Sequence, residues 1–251
     1  MQRISLTIFI LCFLGFGQSS KAQVPTGMVR IGGGQFRPFV NDTGQRIQVK
    51  PFYLEANAVT NREFEAFVEQ NPRWKKQAVK ALFADENYLK HWESQQKAES
   101  ANYPVVNVSW FAASAYCKSH GKRLPTTAEW EFAASAPPVG SRYHDVNEII
   151  LLWYSRKMPE LAAVGSVYQN SNGLNDMFGL IWEWVDDFEK SAAGSRRDGG
   201  DGLPEGLYCG SGSLGVSDVS DYATFIRYAF RGSLKGNFTS QKLGFRCAKS
   251  L

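Results

Sequence analysis

The side chains best suited to covalent or metal chemistry in this 251-residue chain are four cysteines, Cys12, Cys117, Cys209 and Cys247, and three histidines, His91, His120 and His144. A free thiolate is a nucleophile and a ligand for soft ions such as Cu(I), whereas a paired thiol is a structural staple. Cys209 has the most suggestive setting: "GLYCGSGSLGVSD", residues 206–218, is a lone thiol in a run of small residues that suits an active-site loop, a metal site or a tight turn. The histidines form no i, i+4 pair and no His-x-His, so each reads as an isolated surface or core residue. "GSGSLG" lacks the second spacing of a G-x-S-x-G nucleophile elbow and the Gly-Lys-Ser/Thr ending of a phosphate loop. "DGGDG", Asp198 to Gly202, has the letters of a calcium loop but no terminal bidentate acid.

What the thiols do depends on the compartment, and the first residues address that. Arg3 precedes the short apolar run Leu6 to Gly17, and Ser20-Lys21-Ala22 is a small-x-small cleavage signal. Residues 1–22 therefore read as a signal peptide, and the chain as exported, to a periplasm or the extracellular space. The apolar run is shorter than the ~20 residues a membrane helix needs, so no span is expected once the leader is removed. Cys12 leaves with it, and of the three remaining thiols two are expected to pair in an oxidising compartment, with one left over. Net charge is +4 and falls to +2 when Arg3 and Lys21 go. No basic stripe interleaved with aromatics is present, which argues against nucleic acid as a partner. The basic clusters "RWKKQAVK" (73–80) and "SRR" (195–197) read as solvated faces.

The elements that must position these groups are short. In "TNREFEAFVEQ", Thr60 followed by Glu63 is a capping box, and Phe64, Phe67 and Val68 form one apolar helical face. "SWFAASAYCKSHG" is a second helix, capped by Ser109 and ended by Gly121, with Ala112, Ala115, Tyr116 and Cys117 on one stripe. "TTAEWEFAASA" is a third, capped by Thr126 or Thr127 and stopped by Pro137. The charged stretch Arg73 to Glu99 has room for a further helix or two. "MVRIGGGQFRPF", "IQVKPFYLEA" and "ATFIRYAFRGSL" read as strands, and residues 189–206 as a polar loop. "LIWEWVDDF" alternates large aromatics with polar residues, so Glu183 between Trp182 and Trp184 needs buried partners or an ion. With no internal repeat and no long linker, 24–251 reads as one α+β domain with irregular structure.

Five segments in order carry a resemblance: "MVRIGGGQF", "VKPFYLEANAVTNREFEAFV", "YPVVNVSWFAASAYCKSHGKRLPTTAEWEFAA", "GLNDMFGLIWEWVDDF" and "RYAFRGSLKGNFTSQKLGFRCA". They resemble the sulfatase-modifying-factor, or formylglycine-generating-enzyme, family across nearly all of residues 28–248, with Gly121 to Ala134 the most specific stretch. The resemblance implies an elaborated C-type-lectin-like fold. It also implies a Cys117–Cys247 disulfide. In the entropy model, closing a loop of roughly 130 residues constrains the unfolded chain by about 4–5 kcal/mol.

Formylglycine-generating members of the family oxidise a substrate cysteine with a copper ion. Two cysteines separated by four residues, before an R-x-A-x-R stretch, hold that ion. Here that stretch is "RYAFR", Arg227 to Arg231, and counting back lands on Asp218 and Ala223, or on Gly215 and Ser220 if the register slides to fit "CGSGS". No cysteine lies between Cys209 and Cys247, so the pair is absent. The family's structural calcium implies oxygen ligands at Asn175, Asp176 and Glu183. Leu180, however, replaces the asparagine after the glycine of that motif, with Asp186 and Asp187 near enough to compensate. The expectation is a monomeric accessory, maturation or ligand-binding domain with a protein or peptide partner and without the standard chemistry. The alternative is an atypical copper-handling oxidase or metallochaperone that uses Cys209.

Overall fold

The computed structural model describes residues 23–38, 46–93, 99–140, 143, 146–155, 161–189 and 234–251. Cys209, His144, "DGGDG", "SRR" and the "ATFIRYAF" strand lie outside them, as do Asp218, Ala223, Gly215 and Ser220.

Mixed helices and short strands make up the described fold. A three-stranded antiparallel sheet has β4 (Phe52–Glu55) at its centre, flanked by β1 (Met28–Ile31) and the C-terminal β9 (Ala248–Ser250). Phe52, Tyr53 and Leu54 are all buried, as a central strand covered on both faces requires. Pro51 cannot donate to a ladder and divides "IQVKPFYLEA" in two. Its first half, β3 (Ile47–Val49), pairs instead with β2 (Gly34–Phe36). Further on, β5 (Pro138–Val139) pairs with β6 (Gln169–Asn170), and β7 (Trp182–Glu183) runs parallel to β8 (Leu243–Gly244).

Three helices form where their caps are written. α1 (Asn61–Gln70) has a complete Thr60–Glu63 capping box, and α3 (Thr127–Ala134) has the equivalent box from Thr126 and Glu129. Ser109 caps α2 (Trp110–Ser119) by accepting the Ala112 amide. Each such cap contributes about 1 kcal/mol. α4 (Val146–Ser155) carries no amphipathic signature in the sequence, because Ile149 to Trp153 is one continuous apolar run. Among the described residues, the charged stretch after α1 makes two single-turn 3-10 segments, Pro72–Trp74 and Lys90–Glu93.

The apolar faces of α1 and α2 meet at an aromatic knot. Phe64 and Tyr116 stack with centroids 5.8 Å apart, and Phe245 packs edge-on against both, at 6.0 and 5.3 Å. Phe245 reaches that position because β8 passes tightly beneath residues 105–106. A Cβ on Gly244 would stand 2.3 Å from the Val105 carbonyl oxygen and 2.8 Å from Ile181 Cδ1, so only glycine fits. Among the described residues no helix is long and apolar enough to cross a membrane.

Candidate functional site

The C-terminal segment Leu243 to Ala248 threads through the centre of the molecule and places three polar or reactive groups there. Cys247 is bonded to Cys117 of α2, S–S 2.00 Å with the Cα atoms 5.6 Å apart, the pairing the family resemblance implies. The Cys247 amide donates to Glu55 Oε2 (2.7 Å), and Lys122 Nζ donates to Glu55 Oε1 (2.6 Å). Burial raises the Glu55 pKa above the usual carboxylate value, against the opposing pull of the Lys122 charge and its hydrogen bond.

One residue earlier, Arg246 is wholly buried and bonded through every N–H it owns. Nε donates to both oxygens of Glu183 (3.0 and 2.8 Å), and Nη2 donates to Glu183 Oε1 (2.8 Å) and to the Asn175 carbonyl (2.9 Å). Nη1 donates to the carbonyls of Glu55 and Ala56, 3.2 Å each. A guanidinium offers five N–H groups in a planar fork, and none is left over here. The Glu183 side chain is 1% exposed and also accepts from Trp130 Nε1 (2.8 Å). Burial alone would lower the Arg246 pKa, but the Glu183 carboxylate, with Asp176 nearby, more than offsets it and holds the guanidinium above its ordinary value. Glu183 thus has the buried partner its sequence setting demands, and that partner lies 63 residues away.

Asp176 sits beside this pair in a left-handed conformation (φ 52°). Its Oδ2 accepts the Gly165 amide, and its Oδ1 accepts those of Val167 (2.8 Å) and Tyr168 (3.2 Å). Asn175 donates from Nδ2 to Asn57 Oδ1 (2.9 Å) and accepts Gln169 Nε2 at Oδ1 (3.2 Å). The three residues are therefore neighbours, but their oxygens face N–H donors and a full positive charge stands among them. A calcium ion needs six to eight free oxygen donors, and this arrangement does not fit one. Asp187, a candidate to compensate, instead accepts the Thr127 amide at the start of α3 (2.7 Å). Glu129 completes its capping box and pairs in bidentate fashion with Arg123, 2.7 Å at both contacts. That is a helix-terminus role rather than a catalytic one.

The described histidines are likewise engaged. His91 Nε2 lies 2.9 Å from Asn61 Oδ1, and His120 Nδ1 lies 2.9 Å from the Tyr116 carbonyl. Among the described residues no three His, Cys, Asp or Glu side chains converge to hold a metal. Beside Glu183 is a largely apolar cavity of about 40 Å³, lined by Trp130, Phe178, Trp153 and Trp182. That is room for about one water.

The described residues are organised around a buried ion pair and a disulfide, and comparisons with known proteins identify the family. The family model described as the sulfatase-modifying factor enzyme 1-like domain (FGE-sulfatase) matches residues 16–251, and the chain belongs to this family. A formylglycine-generating enzyme of Streptomyces coelicolor is 30% identical over 293 residues, covering 92% of each chain. An inactive C-alpha-formylglycine-generating enzyme 2 of Mus musculus is 29% identical, covering 93% of this chain and 88% of that one. The serine/threonine-protein kinase Pkn1 of Chlamydia trachomatis is 32% identical over 90% of this chain, which spans only 38% of the kinase. Among solved structures, Treponema denticola variable protein 1 aligns with a TM-score of 0.53 at 20% identity, covering 89% of this chain and 95% of that one. PvdO from Pseudomonas aeruginosa aligns at 0.51 and 20%, covering 89% and 94%. These two likenesses speak to the fold.

Sequence reasoning missed Arg246 as the partner of Glu183. The available signal was its place between Phe245 and Cys247, in a segment otherwise made to be buried.

Proposed function

We propose that this chain is an exported, non-catalytic member of the family, a monomeric domain of residues 24–251 whose lectin-like scaffold serves an accessory or maturation role by binding a protein or peptide partner. The observation that carries the reading is the absence of any cysteine between Cys209 and Cys247, where formylglycine-generating members place the thiolate pair that holds copper. The disulfide that the family resemblance implies is present, and the described residues around it are held by the Glu183–Arg246 pair and two capping boxes. A family in which relatives named as inactive occur beside relatives named as enzymes is one where scaffold and chemistry separate. The test is incubation of the purified chain with Cu(I), oxygen and cysteine-containing peptides, followed by mass spectrometry. No loss of the thiol mass to an aldehyde is expected, and turnover by the parent chain would overturn the proposal.

A further inference from the structure

The basic cluster "RWKKQAVK" reads in the sequence as a solvated face, yet the fold turns part of it into one wall of a groove. Trp74 is only 6% exposed, and together with Arg73, Ala78 and Lys80 it faces the end of α1 and one side of α2 across a groove of about 780 Å³. Four rings run along it in succession. Trp74 meets Phe83 with centroids 6.1 Å apart, Phe83 meets Phe111 at 5.4 Å, and Phe111 meets Trp110 at 5.5 Å, each pair edge-to-face. Phe83 remains 37% exposed, and its neighbour Leu82 is 72% exposed. Among the described lining residues the charged ones are Arg73, Lys80 and Lys118, and none is a carboxylate. None of the three is ion-paired among the described residues, although Arg73 lies over the Trp74 ring at 5.4 Å.

From this geometry we infer that the groove is a docking site for an acidic peptide segment of a partner protein, one that carries apolar or aromatic side chains among its carboxylates. Charge complementarity selects the occupant: among the described lining residues, three cations without an ion pair and no acid favour an anionic chain and repel a basic one. The rings select peptide over nucleic acid. They pack edge-to-face into one another rather than in parallel. Bases need open ring faces to stack upon, whereas a Phe or Leu side chain can pack against the exposed edges of Phe83 and Phe111. The inference rests on the binding role proposed above and gives it a place and a partner chemistry.

The test is fluorescence anisotropy with a labelled acidic twelve-residue peptide containing two phenylalanines, titrated with the parent chain and with Lys80→Glu/Lys118→Glu. Controls are a lysine-containing peptide of the same apolar pattern, a single-stranded oligonucleotide of matching charge, and Lys50→Glu/Lys249→Glu. The last variant makes the same change in net charge outside the groove. Reversing two facing charges should weaken binding about tenfold or more, while the outside reversal changes it less than about twofold. Phe83→Ser, at a half-exposed ring, should weaken binding with no charge change. A parent chain that ignores the acidic peptide, binds the oligonucleotide equally well, or is weakened equally by both double reversals overturns the inference. Because the readout is binding and not turnover, its failure leaves the non-catalytic reading standing, and the reverse also holds.

Discussion

Replacing Glu183 by glutamine removes one charge from a pair whose side chains are 0% and 1% exposed. The Gln carbonyl oxygen can still accept from Trp130, but its amide NH2 would point donor to donor at the Arg246 fork. Arg246 would keep its three bonds to the carbonyls of Glu55, Ala56 and Asn175 and lose the only carboxylate it touches. Breaking one partner of a buried pair costs about 3–5 kcal/mol, because the remaining charge is left in a low-dielectric interior. With a urea m-value of about 2 kcal/mol/M, a loss of about 4 kcal/mol moves the unfolding midpoint down by about 2 M. Trp130 donates to Glu183, and Trp182 and Trp184 flank it along the chain, so intrinsic fluorescence reports the transition. Repeating both titrations with millimolar calcium should leave the difference unchanged, since neither Glu183 oxygen is available to a cation. A loss below about 1 kcal/mol, or a calcium-dependent stabilisation that Glu183→Gln abolishes, would refute the reasoning and restore Glu183 as a metal ligand.

Four further outcomes follow from other contacts. Burial, with the Lys76 charge behind it, lowers the His91 pKa from 6.5 to about 4, so between those values the unfolded chain binds more protons than the folded one. The stability conferred by neutral His91 is complete above about pH 6.5 and is lost as the pH falls toward 4, about 3 kcal/mol in all; urea midpoints measured across that window should flatten in His91→Gln relative to the parent. Gly244→Ala drives a methyl group into the Val105 carbonyl and should cost about 3 kcal/mol, the upper end of overpacking, read as a lowered midpoint with an unchanged m-value. For the chain without residues 1–22, counting thiols in denaturant should give one before reduction and three after. Cys117→Ser/Cys247→Ala should lose about 2–5 kcal/mol.

Local chemistry was legible in the sequence because its partners are close along the chain. Thr60 with Glu63 and Ser109 with the Ala112 amide each lie three residues apart and could be read directly, while the third cap stayed open between Thr126 and Thr127 until the structure placed it at Thr126. The division of strands at Pro51 is equally local, though it splits one anticipated strand into two that join different sheets. What could not be read depends on distant pairing. That Glu183 needs a partner follows from the tryptophans flanking it, but that the partner is Arg246 requires β7 and β8 to lie side by side. The Cys117–Cys247 bridge came from resemblance to a family rather than from the letters themselves. The α4 run, apolar all round, is ambiguous between helix and strand at its length. The groove is the extreme case: Lys80, Phe111 and Lys118 look like unrelated surface positions until three segments close around them.

The proposed function has the family's fold without its thiolate copper site, since no cysteine lies between Cys209 and Cys247. Cu(I) titration of the purified chain, in competition with a chromogenic Cu(I) chelator, tests this most directly when the parent and Cys209→Ser are run side by side. The account predicts that the chelator retains the copper against both proteins and that the two curves superimpose. One-to-one capture of copper by the parent, lost in Cys209→Ser, would contradict it and make Cys209 the ligand of a working metal site.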